Sequence, residues 1–424
     1  MILYVREFFA HHPEVKLIAV TGSAGKMSAK TAIATVLAKQ YNVAMHEAEP
    51  KSHLQTLLQI MGVRYPEHTS EETWGIWLRH KLLRAVKKRA RAEHPEAQVI
   101  IQEFSPQAIG FHSWFQSVVM PDIAVVTSVT TGRIHVEHGV EEVANEMLTL
   151  ANNARFALIN RDDIDERFAA FLTNPNMSTY GTSALAEYHF VPQEFTLQDG
   201  HSGRVVGPEY PDGISVQLHL LGEHNLRPAI AAASVATQMG MSSEVIMAAL
   251  SELTPLPGRM QLLRGADDTL LIDDSYSSSP LTALSALQTL YSLDVPQRIA
   301  VFGTMNGLRD AAQQGHAELG SYCSPDELDW VVTVGDAANT WLAPAARQRG
   351  CQVKQCRDAV EAGGFVREKL HPQGVALFKG SSGGVWLEEA IKINLHSLDD
   401  EKKLVRQDAA WLKKKNEFFS RFHD

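Results

Sequence analysis

The run Leu17-Ile18-Ala19-Val20-Thr21-Gly22-Ser23-Ala24-Gly25-Lys26-Met27-Ser28 constrains this chain more than any other stretch. Its leading residues are apolar and partly β-branched, which predicts a buried strand. Two glycines then turn the chain. Ser28 to Gln40, with Ile33, Val36 and Leu37 at helical spacing, predicts a helix. A strand, a glycine loop and a helix start in that order make an anion site. Glycines admit phosphate oxygens to backbone N–H groups, the helix dipole favours negative charge, and Lys26 adds a mobile cation. Gly22, Ser23, Ala24, Gly25, Lys26 and Ser28 are the candidate nucleotide contacts. The strict phosphate-loop pattern is missed twice, by Val20 at its first glycine and by Met27 at its hydroxyl. A βα turn that holds no phosphate is the plain alternative.

A chain of 424 residues predicts two or three domains. Its net charge of −10 argues against a nucleic-acid binder. Cys323, Cys351 and Cys356 are too few for a disulfide framework or a four-thiolate zinc site, so reduced thiols are expected. No apolar run reaches membrane-spanning length and no signal-peptide layout opens the chain. A soluble, cytoplasmic protein is the expectation.

Buried strands are predicted at Gln98–Glu103, Ile123–Thr127 and Phe156–Asn160, with a shorter one at Tyr41–Met45. Helices intervene at Gln55–Met61, Trp74–Arg91 and Val140–Asn153. The alternation predicts an α/β fold, a mostly parallel sheet covered on both faces. The glycine loop, Glu103 and Ser128 would then share the rim at the carboxyl ends of the strands, where such sheets bind ligands. In the basic helix Trp74–Arg91, the residues Trp74, Trp77, Leu78, Leu82 and Val86 can share one face. Its cationic face reads as solvated, or as a surface for an anionic membrane or an acidic ligand.

From Thr179 to Leu221 short extended segments predict an antiparallel addition, and helices follow at Gly222–Met239 and Ser242–Leu253. Pro255-Leu-Pro-Gly-Arg259 reads as a linker. Strands at Leu270–Ile272, Arg298–Phe302, Trp330–Val334 and Gly374–Phe378 then predict a smaller Rossmann-like domain. A charged helix over Asp399–Phe422 would dock through Leu404, Trp411 and Phe418. The expected division is 1–254, 255–395 and 396–424.

With these elements placed, the chain resembles the Mur ligases, cytoplasmic ATP-dependent enzymes of peptidoglycan assembly, in particular the branch that adds D-Ala-D-Ala to the UDP-N-acetylmuramoyl tripeptide. The resemblance runs from about Leu17 to Leu395 in ordered blocks. These are Thr21–Lys26, Glu103, Pro121–Thr127, Asn160-Arg-Asp-Asp163, Gly222-Glu-His-Asn225, Gly258-Arg259, Ile272-Asp-Asp-Ser-Tyr276 with Pro280, Gly303, His316 and Lys379-Gly-Ser381 with Glu388. It implies a phosphate-loop-type central domain with a mostly parallel sheet and a Rossmann-like C-terminal domain. It also implies that a substrate carboxylate takes the γ-phosphate of ATP and that an amine displaces phosphate from the acyl phosphate. The partners would be ATP and a carboxylate/amine peptide pair, with Mg2+ as cofactor.

By the same resemblance Lys26, Glu103, His135 and Lys379 are the catalytic candidates. Glu103, with Ser28 and His135, would meet the metal. Asn225 would meet adenine, Asp273 and Asp274 the ribose, Arg259 the phosphates, and Lys379 with Ser381 the amine substrate. The plain readings are a solvated carboxylate for Glu103, a helix cap for Asn225 and turn residues for the aspartates. The chain also departs from the pattern. Met27 follows the loop lysine, Ser128 replaces an Asn and Arg133 a His, with His135 two places on. Met147 stands at a carbamylated Lys, and Pro228, Ser277, Ser279 and Ser382 replace an Asn, two Asn and an Arg. His135-Val-Glu-His138 could form a replacement metal site or an exposed polar loop. The family's N-terminal UDP-binding domain is expected to be absent. Two readings stand: a ligase with a rebuilt metal site, and a non-catalytic relative that binds nucleotide or a partner ligase.

Overall fold

The apolar run opens the molecule's larger sheet as β1 (Lys16–Thr21), all but its first residue buried. The computed structural model describes every residue except 67–70, 106–108, 130–138 and 421–424. The described chain falls into two units, Met1–His219 with Asn225–Leu253, and Leu220–His224 with Thr254–Asp424.

In the first unit β1 is followed by β2 (Val43–Met45), β3 (Val99–Phe104), β4 (Ile123–Val126), β5 (Phe156–Asn160), β6 (Met177–Gly181), β7 (Tyr188–Thr196), β8 (Gly200–Gly207) and β9 (Tyr210–Leu218). Their order across the sheet is β2-β3-β1-β4-β5-β6-β7-β8-β9. Pairing is parallel from β2 to β7, and β7, β8 and β9 form an antiparallel meander. β1 pairs with β3 (Val20 beside Glu103) and with β4 (Thr21 beside Val126). The glycine loop, Glu103 and the residues after β4 therefore leave the sheet on one rim. The helices Lys26–Leu37, His53–Ile60, Phe111–Gln116 and Val140–Asn152 supply crossovers between these strands.

The second unit holds β10 (Gln261–Arg264), β11 (Leu270–Asp274), β12 (Arg298–Gly303), β13 (Trp330–Val334), β14 (Val353–Cys356) and β15 (Val375–Lys379). Their order is β10-β11-β15-β12-β13-β14, parallel except for β10 against β11. Leu271, Ile299, Val301, Val332, Ala376 and Phe378 form the centre of its core. β10 and β14 escape the hydrophobic-run criterion because both are half-exposed edge strands carrying polar residues.

Two expectations about docking faces are corrected. The helix Ile76–Ala90 buries Leu82, Val86 and Ala90, and Trp74 is buried just before it, but Trp77 is 70% exposed. Trp77 lies three residues from Trp74 only in sequence, since Trp74 precedes the helix and shares no helical face with it. The terminal segment is a 3-10 turn, Leu398–Lys403, followed by the helix Ala409–Phe419. Leu404 docks in the core as expected and Phe418 meets the edge of Trp386 at 4.7 Å. Trp411 is only half-buried, and the one buried residue of that helix is Lys415.

Candidate active site

The loop after β1 is held from below by the strand end that follows β4. Thr127 N donates to Thr21 O at 2.9 Å, Ser23 N to Ser128 O at 3.0 Å and Ala24 N to Ser128 Oγ at 2.8 Å. A Cβ on Gly22 (φ +136°) would sit 2.2 Å from Thr127 Oγ1 and 2.8 Å from Ser128 N, so only glycine lets the two loops meet. Gly25, at φ +80°, ends the loop and starts the helix Lys26–Leu37, which has no side-chain cap. The first-turn N–H groups of that helix are the donors an anion would find there. Met27 and Ser28 are half-buried in that turn.

Lys26 folds back over the loop, its Nζ donating to Gly22 O at 2.9 Å. The same ammonium lies 3.9 Å from Glu103 Oε1, and Lys30 Nζ lies 2.9 Å from Glu103 Oε2. All three side chains are at least 96% buried, with 4% or less of each exposed. Lys30 also donates to the carbonyls of His46 and Glu47. Glu103 is thus a buried carboxylate between two ammonium groups, not the solvated strand-end residue of the plain reading. A buried charge is tolerated only when paired in this way.

Farther along the rim, Asp162 and Asp163 hold Arg227 of the helix Glu223–Gln238. Arg227 Nε lies 2.9 Å from Asp162 Oδ2, and Nη1 lies 3.0 Å from Asp163 Oδ2. Asp162 also accepts from Thr182 N and Oγ1, and Asn160 donates to Asp163. Burial alone would raise the Asp162 pKa, but the Thr182 and Arg227 hydrogen bonds hold it below the ordinary carboxylate value. Asn225 lies one turn before Pro228 in that helix, half-buried.

In the second unit β11 ends in Asp273 and Asp274. Asp274 Oδ2 lies 3.0 Å from Lys379 Nζ at the end of the neighbouring β15. Burial pushes the Asp274 carboxyl up and the Lys379 ammonium down, each partly restored by the other. Asp273 Oδ1 accepts from Ser275 N at 3.0 Å, whereas Oδ2 is buried without a hydrogen-bond partner. Burial, helped by the nearby Glu388 and Asp274 carboxylates and opposed by its Ser275 hydrogen bonds, leaves Asp273 with a pKa raised to about 6. The Arg259 guanidinium lies over the Tyr276 ring, 4.3 Å from its centroid. Ser381 Oγ accepts from Asn306 N at 2.9 Å. His316 is neutral and structural: burial lowers its pKa, Nε2 accepts from Met305 N and Nδ1 donates to Ala312 O.

A family model described as the Mur ligase middle domain matches residues 20–236, and one described as the Mur ligase, glutamate ligase domain matches residues 258–382. The chain belongs to the Mur ligase family. Among curated relatives, the UDP-N-acetylmuramoyl-tripeptide–D-alanyl-D-alanine ligase of Bacillus subtilis is 25% identical over 383 residues, which cover 89% of this chain and 75% of the relative. The enzyme of the same name from Escherichia coli is 25% identical over 339 residues, covering 76% of this chain and 64% of its own. The fold is shared with MurF from Acinetobacter baumannii (TM-score 0.70, 19% identity, 92% of this chain and 78% of that one). It is also shared with MurF ligase from Thermotoga maritima in complex with ADP (TM-score 0.69, 16% identity, 96% and 84%).

Among the described residues of this Mur ligase, the donors present do not fit a protein-held magnesium ion. Magnesium prefers several oxygen ligands at short distance. Met27 and Met147 offer thioethers, Glu103 is already paired with Lys30, and no group of three His, Cys, Asp or Glu side chains gathers among the described residues. His135 and the other side chains of the 135–138 run lie outside the described residues. Met147 is a core residue, packed with Val126, Val143 and Leu148. Its Sδ lies 3.4 Å from Thr21 Oγ1, which is also 3.2 Å from His112 Nε2. Glu146, beside it, accepts from the N–H groups of Gly110 and His112 at 2.8 Å each. His112 Nδ1 donates to the Glu146 carbonyl at 2.6 Å, and burial lowers the ring's pKa despite the adjacent carboxylate. This Thr21–His112–Glu146 network fixes the end of β1 from beneath. Sequence reasoning missed it and missed Lys30. The one available signal was a lysine and a histidine inside otherwise apolar runs.

Proposed function

We propose that the chain is an ATP-dependent ligase that joins a peptide carboxylate to an amine in peptidoglycan precursor synthesis, the acid being a muramoyl tripeptide and the amine D-Ala-D-Ala. The observation that carries the reading is the joint match of both Mur ligase domain models in order, with Lys26 and the uncapped helix start at the carboxyl rim of the first unit. In the first step an oxygen of the acid bonds to the γ-phosphorus of ATP as the bond to the β-phosphate oxygen breaks, giving an acyl phosphate and ADP. In the second the amine nitrogen bonds to the acyl carbon, phosphate leaves, and the ammonium proton passes to solvent.

The protein's part is positioning and charge neutralisation, which carry most of phosphoryl-transfer catalysis. Lys26 would leave Gly22 O for the β- and γ-phosphates, joined by the first-turn N–H groups of its helix. Lys30 would keep Glu103 neutralised as Lys26 moves. Asn225 is assigned to adenine, Asp273 and Asp274 to ribose, Arg259 to phosphate, and Lys379 with Ser381 to the amine substrate. The central domain would be 1–254 and the C-terminal domain 255–395, followed by the terminal segment 396–424. The reading is tested by incubating the protein with ATP, the muramoyl tripeptide and D-Ala-D-Ala and following ADP and product by mass spectrometry. One amide per ADP supports it, and ATP binding without any product opposes it.

A further inference from the structure

The helix Ile76–Ala90 carries more charge than its place in the sheet's cover requires. Trp77, Lys81, Arg84 and Lys88 follow one another at steps of four, three and four residues. At 3.6 residues per turn they fall in one stripe about 60° wide. Leu82, Val86 and Ala90 form a second stripe on the opposite side, and those three are buried. The first stripe therefore faces away from the protein, and all four of its residues are exposed. Ile76, His80 and Lys87 flank it and are exposed as well.

The cations divide into two groups. Arg79 turns back to the carbonyls of Trp74 and Glu71, Arg89 pairs with Glu96 and Arg91 with Glu7. Among the described residues no carboxylate pairs with Lys81, Arg84, Lys87 or Lys88, and Arg84 makes only a long Nε contact to His80 O at 3.4 Å within its own helix. Lys81 Nζ sits 5.3 Å from the centroid of the Trp77 ring, so the indole lies among cations that no carboxylate neutralises. Ile76 and Trp77 are 76% and 70% exposed, side by side at the start of the helix. The chain as a whole carries a net charge of −10, so an anionic surface would repel most of it and attract this face.

We propose that this face docks the chain on an anionic lipid bilayer. Trp77 and Ile76 enter the headgroup layer, where an indole is stable with one side apolar and the other wet. Lys81, Arg84, Lys87 and Lys88 meet the lipid phosphates. Each cation held near an anionic leaflet multiplies partitioning about five-fold, and the two apolar side chains add a term that salt does not screen. The contact is weak and reversible, as suits a helix lying on a surface.

The test is co-sedimentation of the full chain with vesicles of phosphatidylcholine, alone or with one third phosphatidylglycerol, at low and high salt. Binding to the mixed vesicles only, weakened but not abolished by salt, is expected. The triple variant Lys81→Glu, Arg84→Glu, Lys88→Glu should lose at least about tenfold in partitioning, and Trp77→Ser should lose the component that survives salt. These positions are exposed, so circular dichroism and thermal melting should match the parent. Trp77 emission, read as the parent spectrum minus that of Trp77→Phe, should shift to the blue on vesicles. No sedimentation of the parent, or equal sedimentation of the triple variant, overturns the proposal. So does a parent that binds heparin or RNA as well as it binds mixed vesicles with no Trp77 shift, because the face would then be a general polyanion surface.

Discussion

Replacing Asp273 by asparagine should make the second unit gain stability relative to the parent as pH rises from about 4 to about 8. Asp273 is fully buried and its pKa is raised from 3.8 to about 6. A carboxyl whose folded pKa exceeds its unfolded value favours folding only in its protonated form. Its contribution is present below the unfolded value and is lost as pH rises through about 6. A shift of about 2 pKa units corresponds to about 3 kcal/mol, of which about 2 kcal/mol develops between pH 4 and pH 8. Asparagine keeps an oxygen for Ser275 N and carries no titrating proton. An amide left unpaired at the unpartnered Oδ2 position costs about 1 to 3 kcal/mol, and that cost is the same at every pH. The readout is therefore the difference between variant and parent as a function of pH. Urea unfolding of the second unit, followed at pH 4 and pH 8, should show the variant gaining about 2 kcal/mol on the parent at the higher pH. Parallel stability curves would mean that Asp273 ionises without penalty and that the burial argument is wrong.

Lys26→Ala should weaken ATP binding at least tenfold by calorimetry, about 1.4 kcal/mol, while Lys30 keeps Glu103 paired; unchanged affinity would count against Lys26 as a phosphate contact. Met27→Thr places a hydroxyl in the first helical turn at a half-buried position, so turnover should rise with little loss of stability; unchanged turnover would count against the loop as a phosphate site. Glu388→Ala removes the carboxylate that Arg406 holds at 2.8 Å and Lys415 at 2.9 Å, all three side chains being at least 94% buried. The stranded cations should cost about 3 to 5 kcal/mol and release the terminal helix to proteolysis. A protease-resistant Glu388→Ala protein would show that Leu404 and Phe418 dock that segment unaided.

The parts of the fold legible in the sequence were those governed by burial. β1, β3, β4, β5, β12, β13 and β15 are near-continuous apolar runs because parallel strands are covered on both faces. β10 and β14 pair along one side only, and their composition carries little signal. The glycine loop was legible because Gly22 has no room for a side chain beside Thr127. The electrostatic partners were not legible, since pairs such as Lys30 with Glu103 join residues far apart in sequence. Lys415 illustrates the same limit. A lysine in a charged helix reads as solvated, and only the Glu388 and Glu389 carboxylates make its burial possible.

If the chain makes an amide through an acyl phosphate formed at the Lys26 loop, an oxygen of the acid leaves with the phosphate, and isotope transfer records it. The muramoyl tripeptide is prepared with heavy oxygen in its reacting carboxylate, incubated with ATP, D-Ala-D-Ala and the protein, and the released phosphate is weighed by mass spectrometry. Each phosphate should carry one heavy oxygen from the acid, and Lys26→Ala should abolish the transfer. Release of phosphate with no heavy oxygen, or ATP bound with no phosphate released, would contradict it.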